Sequence, residues 1–143
     1  MSDHKKIRFT YENTNDETEV ESMWAMERED GYEIDNIPFH VSSLAVGDLV
    51  AARRDEDGLL WFTKMIKPSG HTTIQILFAR KEDAPPFRAR LDQMGCESEG
   101  SDIPELVAVD VPPEVKYEEV KKLLDEGERE GRFEYQEACL GFL

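Results

Sequence analysis

Cysteine and long apolar runs are scarce in this chain of 143 residues, and basic residues are outnumbered by acidic ones. Two cysteines, Cys96 and Cys139, are too few for a disulfide framework, so we expect reduced thiols and a cytoplasmic protein. No apolar run approaches the roughly 18 residues that a membrane-spanning helix needs. Residues 1–10 lack the apolar core of a secretory signal. The sequence therefore argues against a small disulfide-stabilised protein and predicts no membrane partner.

Sequence motifs for nucleotide, metal and nucleophilic chemistry are also missing. The chain has no G-x-G-x-x-G or Walker-type loop that would hold phosphates. It has no closely spaced ligand pair such as C-x-x-C, which a zinc site usually shows. No nucleophile stands with a recognisable base and orienting group. We therefore predict no catalytic residue, no metal and no cofactor, and we expect that the protein is not an enzyme.

What the chain does have is negative charge, with 32 Asp and Glu against 17 Lys and Arg and a net charge of −15. Residues 1–35 carry 11 acidic and 4 basic residues, whereas residues 36–90 carry 6 and 8. Residues 91–143 carry 15 acidic and 5 basic residues. Such a chain is repelled by nucleic acid and anionic membranes and is attracted to basic surfaces.

Apolar periodicity predicts strands first and helices later. Alternating apolar residues separated by tight-turn signals such as Asp30-Gly31 and Asp57-Gly58 predict five or six short strands before residue 80. Helical spacing then appears at Phe87, Leu91 and Met94 and again after Pro112-Pro113. We predict an α+β fold. Its N-terminal half is a small antiparallel sheet or partly open β-barrel, and its C-terminal half is β-α-β-α-β.

Composition divides the chain into a lead-in and one domain. Residues 1–19 read as an acidic lead-in that contains a short strand at 7–11 and a loop or disordered connector at 12–19. Residues 20–143 form a single α+β domain, with a β-rich lobe over about 20–80 and a helix-bearing lobe over about 81–143. Within the second lobe, residues 96–102 read as a polar, flexible segment.

Several sequence blocks together resemble a known family. The blocks are YEIDNIPF at 32–39, LAVGD at 44–48, LWF at 60–62, SGHTTI at 69–74, GC at 95–96 and VAVDVP at 107–112. Their order and spacing resemble the small bacterial family called domain of unknown function 4265, over roughly residues 20–140. The resemblance implies a stand-alone bacterial protein of about this length. It implies no activity and no functional residues.

Four residues mark a candidate pocket where the two lobes meet. They are His40, His71, Asn36 and Trp61. His71 stands where a turn meets a strand beside a hydroxyl residue, a position that suits a ligand-facing imidazole or a general base. A structural role, in which the imidazole holds the turn, accounts for the same pattern. The sequence leaves both interpretations open.

Acidic residues near the C-terminus mark a candidate partner-binding face. They are Glu97, Glu99, Asp102, Glu118, Glu119, Asp125, Glu126 and Glu130. Carboxylates on a rigid face can imitate a phosphate backbone and speed association with a cationic cleft. A solvated surface that keeps the protein soluble would look the same in sequence. The oligomeric state stays open.

Basic and aromatic residues in the middle of the chain suggest an alternative surface. Arg53-Arg54, Lys64 and Lys67 occur near Trp61 and Phe62, a mixture that occurs in RNA-binding sheets. The acidic flanks oppose a polyanion, so we expect no direct nucleic-acid partner.

We therefore predict a non-enzymatic protein-binding role with a basic partner. An immunity protein or antitoxin-like inhibitor of a nuclease toxin would fit the charge. The rivals are a small-molecule-binding protein or enzyme at His40 and His71, and a regulatory or structural module.

Overall fold

The computed structural model describes residues 4–143, which form nine strands and two α-helices in two lobes. The strands are β1 His4–Glu12, β2 Thr18–Arg28, β3 Gly31–Ile34, β4 Leu49–Arg54, β5 Leu60–Lys67, β6 Thr72–Phe78, β7 Glu97–Gly100, β8 Leu106–Val111 and β9 Phe133–Cys139. The helices are α1 Ala84–Gln93, which follows a 3-10 turn at Lys81–Asp83, and α2 Tyr117–Arg129. Within the described residues, neither helix has the length and apolar character needed to cross a membrane.

Strands β1 to β5 form a small barrel in which each strand runs antiparallel to the next. Its seam is short, because β5 pairs with β1 only through Leu60 with Ile7 and Trp61 with Arg8. Alternation along β1 turns Ile7 and Phe9 inward, so the residues between them face outward. The buried residues of the barrel lobe are Ile7, Phe9, Met23, Ala25, Ile34, Val41, Leu44, Val50 and Leu60.

The first predicted hairpin forms one residue earlier than its sequence signal. Arg28 pairs with Gly31, so Glu29 and Asp30 make the two-residue loop and Gly31 begins the return strand. Gly31 is not among the glycines with a positive φ. A Cβ at this position would lie 2.7 Å from the carbonyl oxygen of Val50. Glycine is needed here because the backbone of β4 approaches closely.

The second lobe is a four-stranded antiparallel sheet with the strand order β7-β8-β6-β9. Both helices pack on one face of it. Ile74 and Ile76 of β6 lie in one buried cluster with Leu91 of α1 and Leu124 of α2. The other face of this sheet carries Thr73 and Gln75 and is turned toward the barrel lobe.

The predicted α+β fold class is confirmed, with two additions. Residues 97–100 were expected to be part of a flexible segment but form β7, an edge strand paired with β8. Residues 4–19 were expected to lie in a lead-in outside the domain. They form β1 and the beginning of β2, and so supply a barrel strand. The first three residues of that lead-in lie outside the described residues.

The connector between β3 and β4, residues 35–48, joins the barrel to the second sheet. The Thr73 hydroxyl donates to the carbonyl of Leu44 at 2.8 Å, and the Gln75 amide donates to that of Pro38 at 3.1 Å. Asp48 is 2% exposed and accepts hydrogen bonds from the backbone N–H groups of Ala45 and Ser69. Because every polar group named here is satisfied, the connector fixes how the two lobes meet.

Candidate functional site

Two open clefts lie where the barrel lobe meets the second sheet. The first, which we call the hairpin cleft, has a volume of about 580 Å³ and lies between the β1–β2 hairpin, the connector and strands β6, β8 and β9. The second, which we call the His71 cleft, has a volume of about 540 Å³ and lies beside the turn before β6 and the end of β9.

One wall of the hairpin cleft is a hydrogen-bonded group on the tip of the β1–β2 hairpin. The Tyr11 hydroxyl donates to Glu19 at 2.7 Å, and the Asn13 amide donates to the other oxygen at 3.2 Å. Tyr11 and Glu19 are direct cross-strand partners, which explains this contact. The two bonds, with a smaller contribution from His40, lower the pKa of Glu19 below its usual value. Burial, followed by the bond to Glu19, raises the pKa of Tyr11 to about 12.

The imidazole of His40 lies flat against the Tyr11 ring in the same cleft. Their ring centroids are 4.9 Å apart and their planes differ by 8°. The Glu21 carboxylate holds this part of the connector by accepting three backbone N–H groups, those of Phe39, His40 and Val41, at 2.8, 3.0 and 3.0 Å. The cleft therefore has a stacked aromatic pair whose position is fixed by main-chain hydrogen bonds.

The floor of the hairpin cleft is apolar and its rim is acidic. Leu77 is 49% exposed on the barrel-facing side of β6 and lies beside Leu106 of β8. The carboxylates of Glu12, Glu19 and Glu134 line the rim. None of the lining residues that the structure describes is Lys or Arg. Such a site is suited to a cation that carries an apolar or planar stem, because the stem covers the floor while the charge meets the carboxylates.

The His71 cleft contains an imidazole that is oriented by a buried carboxylate. Nδ1 of His71 lies 2.8 Å from Oδ1 of Asp110, and the side chain of Asp110 is only 6% exposed. Burial raises the pKa of Asp110, and the hydrogen bond to His71 opposes that rise. With Nδ1 engaged in this way, Nε2 is the ring nitrogen left to accept a proton or contact a ligand.

Neither cysteine supplies a reactive thiol to the His71 cleft. Burial, and then nearby Asp48, raises the pKa of the Cys139 thiol, which makes it a weaker nucleophile at neutral pH. Cys96 is buried, and its pKa is raised to about 11 by burial and then by Asp110. Among residues 4–143, no cluster of three or more His, Cys, Asp or Glu residues is arranged to hold a metal ion.

The structure distributes the four predicted pocket residues over separate places. His40 lines the hairpin cleft, whereas His71 lines the other cleft. The Asn36 side chain accepts a hydrogen bond from the backbone N–H of Trp24. Trp61 lies on the outside of the barrel and donates its indole N–H to Asp55 at 2.9 Å. The four residues therefore do not share one pocket.

The eight predicted partner-binding acids fall into two groups. Glu97 and Glu99 lie on β7, at one edge of the second sheet, and Asp102 lies in the loop that follows. The remaining five lie on or just after α2, which packs beside β9 at the opposite edge. Asp125 already accepts a hydrogen bond from Tyr135 and lies 3.7 Å from Lys121. Lys122 and Arg129 also lie among the acids of α2.

Sequence reasoning missed the acids of the hairpin cleft. Glu12 and Glu19 were assigned to a loop or connector, and Glu134 was not singled out. A signal for the first two existed, because Tyr11 and Val20 bracket a short polar segment in the way that hairpin strands do. No local signal could bring Glu134 to the same cleft, since it lies more than one hundred residues along the chain.

Comparisons with known proteins identify a family and a fold. The model of the family described as "Domain of unknown function (DUF4265)" matches residues 21–135. A crystal structure described as that of a hypothetical protein from Neisseria gonorrhoeae is similar to this chain, with 26% sequence identity and a TM-score of 0.87. The similarity covers 97% of this chain and 96% of that chain. A search of curated proteins finds no match.

Proposed function

This chain belongs to the domain of unknown function 4265 family, and we propose that it is a non-enzymatic protein that binds a basic partner. The family name states no activity, so the proposal is argued from the hairpin cleft. The observation that carries the proposal is the hairpin cleft, with its acidic rim, stacked aromatic pair and apolar floor. An arginine side chain from the partner would fit this combination, since its planar guanidinium can stack on a ring and pair with carboxylates.

The cleft supports this proposal better than net charge alone does. An exposed ion pair contributes little, because water and salt screen it. An arginine stem in the hairpin cleft would also bury the exposed face of Leu77, and its guanidinium would lie beside the Tyr11–His40 stack. Apolar burial and cation–π contact then add to the charge interaction. We place the basic partner in this cleft, with the predicted acidic face on β7 and α2 as the alternative surface.

A nuclease toxin is the specific partner class that we propose. Such an enzyme needs a cationic cleft to bind nucleic acid, and an acidic inhibitor can occupy that cleft. The proposal therefore includes an immunity or antitoxin-like role. An enzyme at the histidines is less well supported, because His40 and His71 line different clefts and the pKa of Cys139 is raised.

The test compares two variants that remove the same amount of charge from different surfaces. Glu12→Gln with Glu134→Gln changes the hairpin cleft, and Glu97→Gln with Glu99→Gln changes the edge strand β7. Binding of a hexa-arginine peptide is measured by calorimetry at low and at moderately raised salt, with a hexa-glutamine peptide as the uncharged control. We expect the cleft variant to bind roughly two- to thirtyfold more weakly than wild type, from two ion pairs of about 0.2–1 kcal/mol each.

The β7 variant should bind the peptide as wild type does. Equal weakening in both variants would show that only the overall charge matters, and it would refute the cleft. A pull-down from the native cells with the same variants then tests the partner class. Failure to recover any basic protein at low salt would refute the protein-binding role.

A further inference from the structure

The outer face of the barrel carries both tryptophans of the chain, each beside basic side chains. Because Ile7 and Phe9 point into the barrel, Lys6 and Arg8 of β1 point outward. Lys6 pairs with Trp24 of β2, and Arg8 pairs with Trp61 of β5. We call the outward side chains of Lys6, Arg8, Trp24, Arg53 and Trp61 the tryptophan face.

Trp61 is held between two arginines. It pairs with Arg8 of β1 on one side and with Arg53 of β4 on the other. Its neighbour Leu60 is buried in the barrel, so the indole must point outward. The indole N–H donates to Asp55 at 2.9 Å, which fixes the ring while leaving it partly exposed.

Trp24 is the more exposed of the two rings. Its side of β2 faces outward, since Met23 and Ala25 on either side of it are buried, and Trp24 itself is 45% exposed. The Lys6 ammonium lies 5.1 Å from the centre of its ring, within the range of a cation–π contact. One strand, β1, separates the two tryptophan strands, and the two positions are offset by two residues along it. Their backbone positions therefore lie about 12 Å apart, at roughly 4.8 Å per strand and 3.3 Å per residue.

Exposed rings beside cations on a sheet are the features that bind single-stranded nucleic acid. The rings stack on bases without regard to sequence, and the cations contact phosphates. The acidic flanks of the chain led us to expect no such partner. That expectation treats the charge as uniform, whereas salt screens exposed charges more than about 8–10 Å away. Binding on the tryptophan face therefore depends mainly on the nearby charges, which are the cations of Lys6, Arg8 and Arg53 and the carboxylate of Asp55 beside Trp61.

We propose that the tryptophan face is a binding site for single-stranded nucleic acid, in which bases stack on the two indoles and phosphates pair with the three cations. This site is separate from the hairpin cleft and has the opposite local charge. Failure of this proposal would therefore not contradict the proposed function, and failure of the proposed function would not contradict this proposal.

Intrinsic fluorescence tests the site directly, because the chain has two tryptophans and both lie on this face. An oligothymidylate is titrated into the protein, and inorganic polyphosphate serves as a polyanion that has no bases. We expect saturable quenching by the oligonucleotide and much less by polyphosphate. Three phosphate contacts predict a slope of about −2 for log K against log salt, from roughly −0.7 per contact on a single strand.

Matched variants separate stacking from charge. Trp24→Ala should weaken oligonucleotide binding at least about fivefold, the lower end for loss of one stacked base. Arg8→Gln with Arg53→Gln should reduce the salt slope by about 1.4. Arg80→Gln with Lys81→Gln removes the same charge from the exposed turn before α1 and should change neither quantity.

Circular dichroism checks that each variant is folded before binding is compared. If the double variant of Arg8 and Arg53 is not folded, the two single substitutions are used in its place. The inference is refuted if no quenching occurs at low salt or if polyphosphate quenches as strongly as the oligonucleotide. Equal loss of binding in the Arg80 and Lys81 control would refute it as well. If the tryptophan fluorescence per molecule changes with protein concentration when no oligonucleotide is present, the face would be assigned to self-association instead.

Discussion

Replacing Glu21 with glutamine should loosen the connector from the β1–β2 hairpin. One carboxylate oxygen of Glu21 accepts the backbone N–H groups of His40 and Val41, both at 3.0 Å, and the other accepts that of Phe39 at 2.8 Å. Glutamine keeps the shape and removes the charge. It also replaces one oxygen by an amide NH2, which cannot accept a hydrogen bond from an N–H group.

The expected loss follows from those three bonds. Two of them can survive as neutral bonds, and each then loses about 1 kcal/mol, the difference between a charged and a neutral hydrogen bond. The third is lost and leaves a half-buried N–H without its partner, at about 1 kcal/mol in a place that water can reach. We therefore expect Glu21→Gln to lower the free energy of unfolding by about 3 kcal/mol.

Urea denaturation followed by fluorescence measures this loss. The matched control is Glu19→Gln, the same change two residues earlier on β2. The carboxylate of Glu19 is exposed and bonded to the side chains of Tyr11 and Asn13, and it holds no main-chain N–H group, so the control should lose much less stability than Glu21→Gln. A loss below about 1 kcal/mol for Glu21→Gln would refute the reasoning, because one neutral bond could account for it.

Two further substitutions test the packing of α2 and the buried acid. Gly127→Ala should lower the melting temperature, because the added methyl would overlap the ring of Phe133, which is 3% exposed. This overlap should outweigh the gain of about 1 kcal/mol in helix propensity. A higher melting temperature would contradict this packing. Asp110 has a raised pKa, so the folded state holds its proton more tightly than the unfolded state, and the contribution of Asp110 to wild-type stability should fall as pH rises above the ordinary value of 3.8. Asp110→Asn lacks this decline. Urea titrations across the acidic range should therefore show that the free energy of unfolding of the variant increases relative to that of wild type as pH rises. The opposite trend would show that the bond to His71 dominates.

Local patterns were enough to predict the elements whose residues carry an apolar alternation or a helical stripe. The strand β5 and the loop before it were visible because Asp57-Gly58 precedes apolar residues, and Gly58 has the positive φ that such a loop requires. The edge strand β7 was missed because Glu97–Gly100 has no apolar residue. It needs only one neighbour, β8, and that neighbour is far more apolar. Tertiary pairing decided its structure, against its local preference.

The candidate site was harder to predict because long-range pairing builds it. The hairpin cleft joins Glu12 of β1 to Glu134 of β9, and only the arrangement of both sheets around the connector brings them together. The predicted pocket failed to form for the same reason. His40 lies on the hairpin side of the connector and His71 on the opposite side, although both border the junction that the sequence had indicated.

The acidic excess is plain in the sequence, but a net charge cannot assign a partner to a folded surface. Exposed charges act over about 8–10 Å at physiological salt, so each charge affects mainly the surface around it. Among the lining residues that the structure describes, the hairpin cleft presents carboxylates and no Lys or Arg, whereas the tryptophan face presents three cations beside two indoles. A chain with a net charge of −15 can therefore offer one site for a cation and another for an anion. Raised salt should then weaken binding of arginine peptide and of oligonucleotide alike, while the variants of each site affect only its own ligand.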